Sequence, residues 1–525
     1  MLQCLRLRLL AASLGLGLAM THVASASAET LAEALIEAYE NNPNLQAQRA
    51  TQRFTDETYV QARTGWRPTL SLTATGSYEE LRIPPRSLQF GQKEINRGNS
   101  GTLQLTFTQP IWTGGRTAAA VTAANADVLQ GRENLRHLES QVMQAVIQDY
   151  VDVRRDQQSV VIRQENVKVL TAQLEESQAR FDVGEITRTD VALSQARLAA
   201  SQSLLQSAIA QLAISRSNYA TLVGHNPGDL APEPSLAYLM PGNVDDAFNV
   251  AEQNSPILRA QLFVEQASRA RIAGARAERM PSVTLQATGV YKNGPIDTFD
   301  RGLYSRDATA AVGVTVPLFN GGLTTSRIRQ AIERNNADRI TVETQRRGVL
   351  QTITQSWNQL LAARANIVST DEQVRASTIA AEGTHQEEQV GLRSTLDVLN
   401  AEQELRAAQL SQVSAVHDEY TAAAAVLAAM GRLEARNLIP SEPLYDPKSN
   451  FRRLRVSWGW TPWEEPLGVL DRVVAYPTIP MSHDLAQEPS IAPGLPGAIK
   501  PTAVQKAPAA KAKPTKPRRA PTGLY

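Results

Sequence analysis

The chain carries a single cysteine, Cys4, in 525 residues. Cys4 precedes the first apolar run, too early to bear the lipid of a lipoprotein, and it leaves with the N-terminal segment if that is removed. No disulfide and no thiolate metal site then remain. Beyond residue 28 no apolar run reaches the ~18–20 residues a membrane helix needs, so entry into a membrane is open only to a barrel. Aromatic residues make up 5% of the chain, a scarcity that suits helices packed through small side chains. Neither sign of charge dominates, with 53 Lys and Arg against 52 Asp and Glu, so net charge argues neither for nor against nucleic acid, which is not among the expected partners. The six histidines (His22, His137, His225, His385, His417, His483) lack metal-helix spacing, and there is no nucleophile elbow, phosphate loop or dinucleotide fingerprint. Glu175-Glu176 and Glu387-Glu388 read as helix-surface charges. The expectation is no enzyme, no metal and no cofactor.

What is present begins with an export signal. Arg6 and Arg8 precede an apolar run from Leu9 to Met20, and Ala26-Ser27-Ala28 is a small-residue cleavage site. Residues 1–28 therefore read as a signal peptide, with a retained anchor as the alternative.

The rest of the chain is an internal duplication. Ala74-Thr75-Gly76 and Tyr78 recur as Ala287-Thr288-Gly289 and Tyr291, and Pro43 and Pro68 recur as Pro256 and Pro281, all at an offset of 213. Pro110, Gly114-Gly115, Val183-Gly184 and Asp190-Val191 recur as Pro317, Gly321-Gly322, Val390-Gly391 and Asp397-Val398, at an offset of 207. The first repeat spans 29–223, a Pro- and Gly-rich linker 224–242, and the second repeat 243–437. Each has an opening helix (about Leu45 to Thr64, and about Ile257 to Ala277), two strands, a very long helix, a short turn and a returning helix.

The strands, placed at 69–78, 101–112, 281–291 and 307–319, alternate strictly. Leu70, Leu72, Ala74, Gly76 and Tyr78 share one face, and Thr69, Ser71, Thr73, Thr75 and Ser77 the other. Each run has about the 9–11 residues of a tilted membrane strand, and the polar face carries hydroxyls and amides as a wet lumen would. A soluble half-buried sheet alternates in the same way. The export signal and the absence of other strands to pack against favour the membrane. Four strands cannot close a barrel whose smallest form has about eight, so copies must combine. A trimer of twelve strands is favoured over a dimer of eight because its wider bore suits the helices.

Between Gly115 and Phe181 there is no proline and one internal glycine, Gly131, and Leu323 to Gln389 also lacks proline. Some 65 residues at ~1.5 Å each make a helix of about 100 Å. The returning helix repeats Val191, Leu198, Leu205, Leu212 and Tyr219 every seven positions. A filamentous coiled coil explains the helices but not the strands between them. The fold class expected is mainly α with a transmembrane β-barrel portion: a duplicated long-helix coiled-coil barrel with four strands per chain.

Duplicated helix–strand–strand–helix units, Gly-Gly after each second strand, and tips reading Val183-Gly184-Glu185-Ile186-Thr187 and Val390-Gly391-Leu392-Arg393-Ser394 resemble the TolC family of outer-membrane efflux proteins. The likeness covers roughly residues 29 to 437. It implies a homotrimer in outer-membrane lipid with a helical tunnel across the periplasm. The tunnel would work with a periplasmic membrane-fusion (adaptor) protein and an inner-membrane transporter, passing drugs or secreted polypeptides unaltered. It further implies that Val183, Gly184, Val390, Gly391 and Leu392 are adaptor-contacting tips, that Asp397 rings the periplasmic entrance, and that Arg393 and Asp190 pair to hold the tips closed. Asn400 stands where a second acidic ring can occur, and Glu388 where a gating tyrosine is common, unfavourably near Asp190.

After residue 437 the character changes. Residues 438–484 include Trp458, Trp460 and Trp463 and read as a segment packed along the tunnel, with an exposed interaction surface as the alternative. Residues 485–525 form a basic Pro/Ala/Lys tail that reads as disordered. A periplasmic coiled-coil adaptor or scaffold outside the membrane is the competing function.

Overall fold

The computed structural model describes residues 28–82, 84, 95–293, 304–440, 443–454, 456 and 459–473. Residues 1–27 of the expected signal peptide, Trp458 and the 485–525 tail lie outside the described residues. The first repeat runs α1 (Leu31–Asn41), α2 (Pro43–Arg63), β1 (Thr69–Arg82), β2 (Ile95–Trp112), α3 (Arg116–Asp182) and α4 (Arg188–Val223). The second runs α5 (Val244–Asn254), α6 (Pro256–Ala277), β3 (Ser282–Asn293), β4 (Ser305–Thr315), α7 (Leu323–Gln389) and α8 (Thr395–Ala429). Three short helices follow: α9 (Ala435–Leu438), α10 (Pro447–Leu454) and α11 (Glu464–Val473).

The expected opening helices correspond to α2 and α6, and each is preceded by a short helix, α1 or α5, that the sequence reading did not include. Asn42 ends α1 and caps α2, its Oδ1 accepting from the amides of Asn44 (3.0 Å) and Leu45 (3.3 Å). Pro43 then takes the first helical position, where a missing N–H costs nothing. Ser255-Pro256 breaks the second repeat at the matching place.

The four strands form one antiparallel sheet in the order β1-β2-β3-β4, so the two hairpins join through β2 and β3. β1 runs on to Arg82 and β2 starts at Ile95, longer than the alternating pattern alone indicated. β4 stops at Thr315, short of the expected 319. Pro317 has no N–H to donate, and β4 lies at the sheet's open edge. In β2 the equivalent Pro110 is tolerated at a bulge, where the register with β3 shifts between Pro110 and Trp112. The apolar face is uncovered in the chain: Leu70 is 67% exposed, Leu72 65%, Val312 66% and Val314 63%.

The long helices α3 and α7 each have 67 residues, about 100 Å at ~1.5 Å per residue. They are continuous because proline is absent, and close neighbours are admitted by small residues. Gly131 lies against α2, where an added Cβ would stand 2.4 Å from Gln52 Oε1. The heptad positions Val191, Leu198, Leu205, Leu212 and Tyr219 turn inward, but the alternate seam position is mostly serine. Ser194, Ser201 and Ser215 are buried and bond to Ser177 (3.2 Å), Asn166 (2.8 Å) and Asp156 (2.5 Å) on α3. The α3–α4 hairpin is therefore a small-residue, hydrogen-bonded seam.

The main apolar core sits around the middle of α3 (Met143, Val146, Ile147, Tyr150), the end of α4, α1, α5 and the end of α8 (Val426, Leu427, Met430). Three tyrosines in it pin the N-terminal segment and the linker. Tyr150 donates to the carbonyls of Glu29 (2.9 Å) and Ala231 (2.7 Å), Tyr219 to the Glu29 carboxylate (2.5 Å) and Tyr420 to the Pro234 carbonyl (3.0 Å). Burial pushes the Tyr150 hydroxyl up to about 12.

Beside this core a polar cluster crosses from repeat one to repeat two. His417 on α8 places Nε2 2.9 Å from Asp152 on α3 and Nδ1 2.9 Å from Asp418, with Gln148 3.2 Å away. Burial alone lowers the imidazolium pKa, but the hydrogen bonds to Asp152 and Asp418 outweigh it and raise His417 above its ordinary 6.5, against a smaller opposing effect of Arg155. Asp149, desolvated and close to Asp152, is raised to about 6. Both groups hold protons more firmly folded than unfolded, so both contribute stability at low pH that fades as pH rises. The Asp149 contribution fades between about 4 and 6. That of His417 is complete below its unfolded value and disappears as pH rises through its raised folded value. Thermal unfolding of His417→Gln is expected to lose the decline above pH ~6.5 while keeping the one below pH ~6.

Candidate functional site

The far ends of the hairpins are built alike. After α3, Gly184 adopts φ +83° and the Glu185 amide reaches back to the Arg180 carbonyl at 2.9 Å. After α7, Gly391 adopts φ +77° and the Leu392 amide reaches the Glu387 carbonyl at 2.8 Å. Both are left-handed helix stops that glycine makes without steric cost. The returning helices then start with a capping box. Asp190 accepts from the Thr187 amide (3.0 Å) and hydroxyl (2.8 Å). Asp397 accepts from the Ser394 amide (3.1 Å) and hydroxyl (2.8 Å). Those side-chain hydrogen bonds, then the backbone ones, hold both carboxyls below the usual carboxylate range, and Arg393 adds to the effect at Asp397. Each aspartate thus supplies fixed negative charge next to a helix start.

Within the chain Arg393 does not meet Asp190. Its Nε lies 2.8 Å from Glu387, one turn back on its own hairpin. Glu388 is not a surface charge: its side chain is 1% exposed and Arg180 Nη1 stands 2.9 Å away. Thr395 donates to Glu388 Oε1 at 3.1 Å, and His385 lies 3.9 Å from Oε2. Arg180 also reaches Glu185 at 3.3 Å. The Arg180–Glu388 pair therefore ties the tip of the first repeat to the tip of the second. A second tie lies further along, where Arg197 of α4 donates to Asn400 (3.3 Å) and Gln403 of α8. Val183 (73% exposed), Val390 (70%) and Leu392 (76%) stand bare at the ends, an apolar tip flanked by these polar ties.

Arg180, Thr395 and Arg197 were not singled out from the sequence. One signal for Arg180 was available. At the repeat offset of 207 its counterpart is Glu387, a reversal of charge at equivalent places that marks a contact between unlike halves.

A duplicated chain with paired β-hairpins, four uncovered strands and two capped helical hairpins of this length defines a channel-forming subunit. The sequence profile of the family described as outer membrane efflux protein matches residues 34–225 and 247–432, one stretch on each repeat. Outer membrane efflux protein BepC of Brucella suis biovar 1 is 32% identical over 437 residues, covering 83% of this chain and 92% of that protein. Alkaline protease secretion protein AprF of Pseudomonas aeruginosa is 27% identical over 322 residues, covering 60% of this chain and 66% of that one. The crystal structure of the Campylobacter jejuni CmeC outer membrane channel superposes with a TM-score of 0.69 at 15% identity, covering 81% of this chain and 89% of that one. The chain belongs to the outer membrane efflux protein family. It is an outer-membrane channel-tunnel protein with its helices on the periplasmic side, and its relatives are channel and secretion proteins rather than enzymes.

Replacing Arg180 strands a buried carboxylate. Arg180→Ala is expected to cost about 1–3 kcal/mol locally, seen as faster limited proteolysis at 183–187 and 390–394. Arg393→Ala, which removes only an exposed pair, should leave that proteolysis unchanged.

Proposed function

We propose that three copies close a twelve-stranded barrel in the outer membrane and continue as one helical tunnel. On this reading the chain is the outer-membrane part of a tripartite efflux or type I secretion assembly, with a periplasmic adaptor and an inner-membrane transporter. The observation that carries it is the sheet. It ends on both sides in strands, β1 and β4, whose outer edges have no partner among the described residues, while its apolar face is uncovered. Open edges are not viable in hydrocarbon, so another copy must complete them.

The repeat supplies the register. In the chain Leu105 pairs with Gly289 and Phe107 with Ala287. Shifted by the repeat offsets of 207 and 213, these pairs become Val312 with Gly76 and Val314 with Ala74 of a neighbouring copy. All four residues lie on the apolar face of their strands, as a shared lipid-facing surface requires. Exposed apolar residues on the helices, among them Ile340 (70%), Val368 (71%) and Ile379 (62%) on α7, also await neighbours. A periplasmic scaffold outside the membrane leaves these edges and faces unexplained and is not favoured.

The tips serve as the periplasmic gate. Val183, Gly184, Val390, Gly391 and Leu392 form the apolar end that an adaptor grips. Asp397 sets negative charge at the mouth, and Arg180–Glu388 keeps the two hairpins of a chain together. Arg393 and Asp190, apart within one chain, are available to one another between copies. The cargo is taken to be drugs, secreted polypeptides or both, in keeping with the efflux and secretion names of BepC and AprF.

Two measurements test this reading. Ala74→Cys combined with Val314→Cys should give a disulfide-linked oligomer in outer-membrane fractions, and monomer alone would overturn the closure. In planar bilayers, Arg180→Ala should raise the open fraction, and Asp397→Asn should lower the cation-to-anion permeability ratio by about twofold or more. Unchanged conductance and selectivity would remove the gate assignment.

A further inference from the structure

The segment after the second repeat lies beyond the residues that match the family, which end at 432. Its described residues fold back over the opposite end of the long helices from the tips. Tyr445 and Tyr39 each lie against the Arg49 guanidinium (5.2 and 4.4 Å), and Phe451 of α10 packs on Tyr59 of α2 with ring centroids 4.9 Å apart. Asn450 donates to Asp56 at 3.0 Å. The chain then reaches the corner where the first repeat passes from helix to sheet and back.

At that corner α11 delivers two fully buried carboxylates, Glu464 and Asp471. Glu464 bridges Arg63 and Arg67, the latter at 3.1 Å, on either side of the short turn that leads from α2 into β1. Asp471 enters the β2–α3 turn. Its Oδ1 accepts from the amides of Thr113 and Gly115, both at 3.0 Å, and its Oδ2 from the Ala118 amide (3.1 Å) and Trp66 Nε1 (3.3 Å). The Thr113 hydroxyl donates to the same carboxylate at 3.0 Å. Ala118 is one of the first helical amides of α3, which have no carbonyl within their own helix to bond. Asp471 therefore caps the 67-residue helix from more than 350 positions away, with the charge sign that a helix start favours. Gly468 lets α11 lie flat on the Trp66 ring, where an added Cβ would stand 3.3 Å from it.

The second repeat has the same turn without this cover. Around Gly322, which starts α7, residues 316–323 are all exposed, Leu318 at 92% and Phe319 at 89%. Trp66 is replaced there by Arg279 and Thr113 by Asn320, at the repeat offsets. The corner of repeat one is thus built to receive a carboxylate-bearing helix, and the corner of repeat two is not.

We propose that α10 and α11 form a strap that locks the sheet–helix corner of the first repeat alone. Glu464 fixes the entry into β1, and Asp471 fixes the exit from β2. The strap makes this corner rigid, leaving movement of the channel to the opposite, tip end. It acts within one chain and does not depend on the number of copies that assemble.

Amide hydrogen exchange on the full-length assembled protein in detergent reads Thr113, Gly115 and Ala118 directly. Asp471→Ala is expected to speed their exchange about tenfold or more, with the tip amides 184 and 391 unchanged. A second form carries a site-specific protease sequence inserted between α10 and α11 and is cut after assembly, so that folding is not in question. Cutting should produce the same local loss of protection while the oligomer migrates as before. Unchanged protection at 113–118 in the cut protein overturns the proposal, even if Asp471→Ala fails to fold, because the segment then serves folding and not the holding of the corner. Loss of protection spread equally to the tips also overturns it.

Discussion

Backbone hydrogen bonding at the sheet edges is the constraint from which the rest of this molecule follows. A strand in hydrocarbon has no water to satisfy its amides, so every edge must find another strand. Among the described residues the chain provides four strands, and β2 and β4 each feed into a 67-residue helix far longer than a globular core requires. The helices inherit their spacing from the strands: β2 and β3 pair within the chain, so α3 and α6 must stand side by side. Gly114 permits this contact, since its turn packs directly against Met280 and Pro281. Small residues then extend the contact down the hairpins, with Gly131 and the buried serines of α4 admitting neighbours that bulky side chains would hold off.

Much of this was legible in the sequence because duplication writes the pattern twice. The alternation around Leu70–Tyr78 and its copy near Val283–Tyr291 identified strands, and the proline-free stretches identified α3 and α7. Strand ends were less legible. Where β4 stops depends on Pro317 meeting an unpaired edge, while Pro110 survives within β2 because a bulge accommodates it. The cap-and-proline signal at Asn42-Pro43 agrees with where α2 starts, whereas the short α1 before it lies outside the expected opening helix.

The tips show why residue-level expectations travel poorly. Asp190 and Asp397 stand in helix-capping positions that a local motif already predicts. Glu388 could not be placed from its own neighbourhood, since its partner Arg180 lies 208 residues away and the burial of the pair depends on how the two hairpins meet. Asp471 is the extreme case: an aspartate in an unremarkable short helix whose significance lies wholly in amides of a turn near residue 115. Spacing rules read contacts within a helix or hairpin, and these contacts join elements brought together only by the completed fold.

The linker between the repeats deserves a different description from that of a tether. Tyr150, Tyr219 and Tyr420, from three different helices, converge on Glu29, Ala231 and Pro234, and a short bridge pairs Glu29 with Leu230. The covalent connection is thus redundant with a set of contacts that would persist without it. Two half-chains, severed within this segment, would still present complementary surfaces to one another. The molecule is in that sense a heterodimer that happens to share one backbone, its halves joined again at the tips by Arg180 and Glu388.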